Sequence, residues 1–364
     1  LLLRSYERLL KVDPGFNSQN VLTMNISLPT VKYAKPVDEI NFFDEVLRRV
    51  SQVPGVRNTA ISATLPLSSK RITPMLPEGQ PNVPLAQRPF IDIEAISPQW
   101  FQTLRVPMRG GREFAAADNQ QAPKVLIVNE TFARQFWPGQ NPIGKHVIVG
   151  RWPEPAEVVG VANDIKNRGL SQEPQAQVYI PFAQLPWSNM NLLVRTAVPP
   201  QTMTSAVRAV IAGVDPDQPV TSILTVDELM DNSRTQPRFL MMLLTVFSMT
   251  ALALAVVGIY GVLAYSVAQR QHELGIRLAL GAKSADILRL VVRQGLILAA
   301  SGVVIGFVAA LLMTRLMSSM LYKVGAHDLV TFVVAPLLFL AVAVLTSYIP
   351  ARRATKVDPI EAMR

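Results

Sequence analysis

The chain has 364 residues, a formal net charge of +9, three histidines and no cysteine, and 49% of it is hydrophobic. The lack of cysteine excludes disulfides and thiolate metal sites, and His146, His272 and His327 are too far apart in sequence for a local histidine metal centre. The basic excess is uneven, +3 over residues 1–238 and +6 over residues 239–364, so it concentrates in the most apolar third; that pattern fits membrane spans with basic flanks rather than a nucleic-acid face.

In chain order, the opening LLLRSYERLL reads as the outer end of an earlier transmembrane helix, with residues 1–14 forming that end and a stalk; an amphipathic helix of the next domain is the alternative. The apolar stretch is too short for a cleaved signal peptide. Residues 15–235 then alternate strand-like and helix-like segments. VLTMNISL at 21–28 is β-rich. Residues 37–50 place Ile40, Phe43, Val46, Leu47 and Val50 at helical spacing after an extended Lys35-Pro36 pair. Strands are expected at 56–64, at 90–96 with strict alternation, and at 125–128, 146–149, 157–161, 177–181 and 191–195. Short helices are expected from Pro98 through Phe101, at 130–136 and at 200–212. Pro and Gly are dense between 66 and 89, where a mobile loop is expected. The fold class is therefore an α+β extracytoplasmic domain in two βαβ-like lobes, followed by an α-helical bundle.

GQNPIGKH at 139–146 matches seven positions of a phosphate-binding loop. The eighth, which should be Ser or Thr to hold Mg²⁺, is His146; Pro142 removes an amide, and β-prone HVIV follows where a helix should start. It reads as a turn into a strand. No nucleophilic elbow or zinc-protease helix occurs, and no two carboxylates can be paired as catalytic partners. No catalytic, cofactor-binding or metal-binding residue is therefore assigned.

Residues 239–269, 294–314 and 329–351 carry no charge. A bilayer core about 30 Å thick needs roughly 20 apolar helical residues, so three spans are expected at 239–267, 291–314 and 329–350. The segment between the first two holds Arg270, Arg277, Lys283, Arg289 and Arg293 against Glu273 and Asp286; the tail holds Arg352, Arg353, Lys356 and Arg364. The positive-inside rule puts both in the cytoplasm, and the domain before Phe239 outside. Within the first segment Glu273 and Arg277 are four apart and can pair on a helix. Gly281 is a candidate C-cap and Ser284 a candidate N-cap of the next helix. Gly302 and Gly306 form a GxxxG, extended by Ala310, for close helix packing.

QRQHELGIRLALGAKSADILRLVVRQG closely resembles the cytoplasmic segment of FtsX-like permeases of ABC transporters, the group with MacB-type and lipoprotein-releasing permeases. YIPARRATKVDPIEAMR resembles that family's closing motif, and VDPGFNSQNVLTMNISLP and FARQFWPGQNPIGK resemble a MacB-type periplasmic core. The resemblance covers nearly the whole chain. It implies four spans, the first of them preceding the outer domain and represented here by a truncated remnant. It also makes the C-terminal half of a duplicated permease an expectation. Domains then fall at 1–14, 15–235 and 236–364, with a cytoplasmic coupling segment at 268–290. The implied function is mechanotransmission: a separate ABC ATPase moves the spans, and the outer domain changes shape in export or extraction of a substrate. The implied ATPase-docking residues are His272, Glu273, Leu274, Gly275, Ile276, Arg277, Leu280, Gly281 and Ala282; neither they nor the tail flanking them is catalytic. Implied partners are the ATPase, a second permease half or homodimer partner, an adaptor, an outer-membrane channel and the lipid bilayer, with no nucleic acid, in the bacterial inner membrane. The alternative is a membrane-anchored extracytoplasmic receptor or sensor.

Overall fold

The computed structural model describes residues 12–68, 71–150, 152, 154–270, 272–273, 276–277, 283–316 and 329–354. They divide into two compact units, Val12–Gln236 and the apolar helices from Pro237 on.

The first unit has two cores. In one lobe β1 (Val21–Ser27), β2 (Val56–Ser62), β10 (Asn189–Thr196) and β11 (Val220–Thr225) form an antiparallel sheet in the order β11-β1-β10-β2. Leu22, Met24 and Ile26 alternate along β1 and meet Ile61 of β2 and Leu192 and Val194 of β10. Two helices, α1 (Pro36–Val50) and α4 (Thr204–Val214), close over that face with Phe43, Val46, Val50, Val207 and Ile211. Helix α1 forms where it does for local reasons. Pro36 stands in its first turn, where no amide is missed. Asp38 and Glu39 at its start and Arg48 and Arg49 at its end complement the helix dipole. Phe43 is fully buried, worth about 2–3 kcal/mol of transfer free energy.

The second lobe is a closed ring. Strands β3 (Ile72–Pro77), β7 (His146–Val149), β8 (Ala156–Ala162), β6 (Val125–Asn129) and β9 (Gln177–Pro181) follow one another, and β9 returns to β4 (Phe90–Ile96), which pairs with β3. Met75, Ile91, Ile93, Leu126, Val128, Val147, Val158, Val178 and Ile180 come from one face of the six strands and make one cluster, with Phe132 of α3 (Glu130–Phe136) joining it. The lobes meet where Ile96, at the end of β4, pairs with Ser62 of β2. Helix α2 (Trp100–Leu104) follows and buries Trp100 and Phe101. Strand β5 (Met108–Gly111) then adds to β8.

Most expected elements occur within a few residues of their expected bounds. Two expectations change. The pairing is mixed rather than βαβ-like: only β4–β9 and β6–β8 run parallel among the described strands. The 66–89 region is not one loop, because β3 lies inside it; Pro74 and Pro77 hide a strand whose remaining amides still pair with β4 and β7. Strand β4, expected from its strict alternation, is buried on both faces, including Asp92 and Glu94.

The second unit holds three helices. Helix α5 (Val226–Gln269) runs 44 residues, α6 is Ser284–Leu316 and α7 is Leu329–Ala354. Among the described residues two helices are long and apolar enough to cross a membrane, Val226–Gln269 and Ala285–Ala310; the apolar stretch of α7, Pro336–Ile349, is shorter. The structure thus supplies two spans by length and composition where three were expected. Helix α5 starts thirteen residues before the first expected span, at a reciprocal capping box. The Thr225 amide donates to Glu228 Oε2 (2.7 Å) and the Glu228 amide to Thr225 Oγ1 (3.1 Å). Expected residues 1–11 of the stalk and the tail from 355 lie outside the described residues.

Candidate functional site

The segment between α5 and α6 carries the expected coupling residues. His272, Glu273, Ile276 and Arg277 are helical and exposed. Leu274, Gly275, Leu280, Gly281 and Ala282 lie outside the described residues. Arg277 Nη2 donates to Glu273 Oε1 at 2.6 Å, the pair anticipated from the four-residue spacing. Both side chains stay about half exposed, so the pair adds only about 0.3–0.5 kcal/mol. Its effect is to fix which charges the helix presents. The N-cap differs from expectation: Ser284 is the first helical residue, and the Lys283 amide donates to Asp286 Oδ2 (3.2 Å). Asp286 therefore does the capping, from the third helical position.

The packing positions divide. Gly302 and Gly306 are exposed, with nothing within 4 Å of an added Cβ, and Ala310 is exposed too. Among the described residues no neighbouring helix comes close to Gly302 or Gly306. The close crossing is at Gly295 instead. A Cβ there would strike Ser347 Oγ of α7 and lie 3.0 Å from Leu263 Cδ1 of α5 and 3.2 Å from Ser347 Cβ. Ile287 and Val291 of α6 and Ala343 of α7 are buried alongside. Sequence reading missed Gly295 because it stands alone; its only signal was a small residue one helical turn from Val291 on the buried stripe.

In the first unit the 139–146 turn behaves as read from the sequence. Gly139 and Gly144 have φ of +70° and +84°, the Ile143 amide donates to Asn141 Oδ1 (3.1 Å), and His146 begins β7. The buried carboxyls of β4 were not foreseen. Asp92 takes a two-pronged ion pair from Arg168 at 2.9 and 2.6 Å. Glu94 has no such partner among the described residues: the Thr64 amide donates to Oε1 (2.7 Å) and Thr64 Oγ1 to Oε2. Burial pushes the Glu94 carboxyl up to about 8, so it is protonated at neutral pH. A carboxyl whose folded pKa is raised from 4.5 holds a proton that the unfolded chain releases, so stability falls as pH rises from about 4.5 to 8. Glu94→Gln is expected to flatten that slope, which reaches about 1.4 kcal/mol per pH unit for one group. Denaturant unfolding at three pH values in this window checks it; an unchanged slope in the variant contradicts the assignment.

A mixed two-lobed domain leading into long apolar helices is the make-up of a membrane permease with a large attached domain. Two family models match the chain: the MacB-like periplasmic core domain over residues 8–214 and the FtsX-like permease C-terminal domain over residues 245–359. The chain belongs to the MacB-like, FtsX-type family of ABC transporter permeases. It is 25% identical over 287 residues to a probable syringafactin export ATP-binding/permease protein of Pseudomonas syringae pv. tomato, covering 75% of this chain and 42% of that one. It is 26% identical over 353 residues to a macrolide export ATP-binding/permease protein of Azoarcus sp., covering 91% of this chain and 53% of that one. The chain spans about half the length of these relatives. Among solved structures, the periplasmic region of MacB from Actinobacillus actinomycetemcomitans matches with a TM-score of 0.42 at 13% identity, covering 63% of this chain and 98% of that one.

Proposed function

We propose that the chain is the permease part of an ABC export system, transmitting ATP-driven motion from the cytoplasm to a periplasmic domain. In this reading α5, α6 and α7 all span the inner membrane, with a further span preceding the first unit. The charges of residues 270–293 keep the coupling segment inside. ATP hydrolysis by a nucleotide-binding partner displaces residues 272–282, and no residue of this chain touches nucleotide. The chain pairs with a second permease half or a second copy through the Gly302, Gly306 and Ala310 stripe. An adaptor and an outer-membrane channel complete the route.

The observation that carries the proposal is the exposed, helical Glu273 and Arg277 pair set between two apolar helices. A surface that held the spans together would bury these residues; one that receives a partner leaves them open. The geometry of the first unit supports the transmission step. The chain enters its sheet at β1 and leaves it at β11, and these strands are neighbours, with Leu22 opposite Thr225. Flanking helices therefore act on adjacent strands rather than on opposite ends of the domain.

The test separates the partner's surface from helix stability. Glu273→Arg and Arg277→Glu singly break the pair; the double exchange restores it with the charges transposed. Co-purification of the cognate ATPase should fall in all three, by about tenfold or more if one or two interfacial ion pairs are lost. Recovery in the double variant would assign the pair a folding role only, and unaltered binding in all three would remove the segment from the docking surface.

A further inference from the structure

The first unit contains a groove of about 470 Å³ where its two lobes meet. One wall is the outer side of α1, with Val37, Ile40, Asp44 and Leu47; the other is the 115–121 loop of the second lobe. Phe182 lies at its base and stacks edge-on against Phe43 (5.4 Å between ring centres), which ties the groove floor to the first core. The volume is that of a site for a drug-sized molecule, and the walls are largely apolar.

Its charge is one-sided. Among the described residues no Lys, Arg or His lines it, and two carboxylates do. Asp118 is neutralised: Arg112 donates to both its oxygens at 2.6 and 2.8 Å, and the Ala115 amide adds a third bond at 2.8 Å. Asp44 has no such partner among the described residues. The cations nearest along α1 are already engaged, because Arg48 and Arg49 both donate to Glu45 at 2.6–2.8 Å. Asp44 stays exposed at the groove's edge, and the partial loss of water there raises its carboxyl pKa. A carboxylate at the edge of an apolar groove, with its neighbouring arginines pinned elsewhere, is complementary to a positive charge carried on an apolar body.

We propose that this groove is a binding site for an amphipathic organic cation, its apolar body lying against Ile40, Leu47 and Phe182 and its charge meeting Asp44. The site is formed by the first unit alone and does not depend on ATP coupling.

The experiment is a fluorescence-anisotropy titration of the full chain in phosphatidylcholine nanodiscs, with empty nanodiscs subtracted. Rhodamine 6G serves as the cationic probe and fluorescein as an anionic probe of similar size. Asp44 and Ala116 are both exposed, so Asp44→Asn and Ala116→Trp, which fills the groove, should leave thermal unfolding unchanged. Rhodamine 6G should bind saturably to the native chain and about tenfold or more weakly to Asp44→Asn, the loss of a charge-assisted contact. It should not bind to Ala116→Trp, and fluorescein should not bind at all. Equal affinity in native and Asp44→Asn chains, binding that survives Ala116→Trp, saturable fluorescein binding, or no signal above empty nanodiscs would each overturn the proposal. The last outcome would leave a basic protein segment as the occupant to test.

Discussion

Replacing Arg195 with alanine is expected to lower the unfolding temperature of the first unit by roughly 10 °C, a cost of about 4 kcal/mol in a domain of this size. Arg195 is 4% exposed, yet it forms no ion pair among the described residues. Its guanidinium instead donates to four oxygens: Thr103 O (2.6 Å), Gln19 O (2.7 Å), Asn17 O (2.8 Å) and Asn17 Oδ1 (3.4 Å). Burial, reinforced by Arg105 and Arg57, lowers its pKa to about 10, which still leaves it charged at neutral pH. The side chain thus joins β10, the C-terminal end of α2 and the segment that leads into β1. Truncation removes the donor, strands the buried Thr103 carbonyl at about 1–3 kcal/mol, and takes a partner from the less buried Gln19 and Asn17 carbonyls. Arg195→Lys keeps the charge but cannot span three directions at once and should fall between the two. Thermal unfolding followed by near-ultraviolet circular dichroism, on the full chain in nanodiscs, is the measurement; a shift under 2–3 °C would be what an ordinary surface arginine gives. Arg195 thereby ties residues 17–19, which lead into β1, to the sheet.

Gly295→Ala should destabilise the helical unit by about 1–3 kcal/mol, the usual cost of overpacking a tight contact. Gly302→Ala and Gly306→Ala should leave it unchanged or slightly firmer, since alanine is the better helix former at an open position. The added methyl at Gly295 meets Ser347, whose Oγ is held by its own bond to the Ala343 carbonyl (2.6 Å), and Leu263 of α5. Ser347→Gly in the Gly295→Ala background opens the site and should recover most of the loss; an unrelated Gly substitution should not. Resistance to detergent-induced unfolding ranks the variants. If Gly302→Ala proves as damaging as Gly295→Ala in a chain held monomeric, the crossing has been misplaced.

The contrast between those glycines shows what the sequence could and could not convey. A GxxxG pattern announces that two small residues share a helix face, but not whether that face is covered by the same chain. Gly295 has no partner in sequence, and only the approach of Ser347 marks it. The same limit governs the first unit. Strands β1, β4 and β6 were legible because β-branched and apolar residues alternate or cluster in them. Strand β3 was hidden by its prolines and β5 by Gly110 and Gly111. The closing of six strands into a ring is set by β4 pairing on both sides, a long-range fact that no local pattern carries. Burial of Asp92 and Glu94 follows from that closure, which the alternation within β4 does not convey. The Thr225 and Glu228 capping box was written in the sequence as TVDE and marks where α5 begins. The Glu273 and Arg277 pair needed only the four-residue spacing, and it formed.

The account rests on residues 12–236 and residues 272–285 lying on opposite sides of one membrane. The chain contains no cysteine, so a single introduced one is labelled without background. Asn82→Cys in the β3–β4 connection and Ala285→Cys at the start of α6 are both exposed positions. In intact cells an impermeant maleimide should label Asn82→Cys fully and Ala285→Cys only after the inner membrane is opened. Labelling of both before opening, or of neither, would contradict the account.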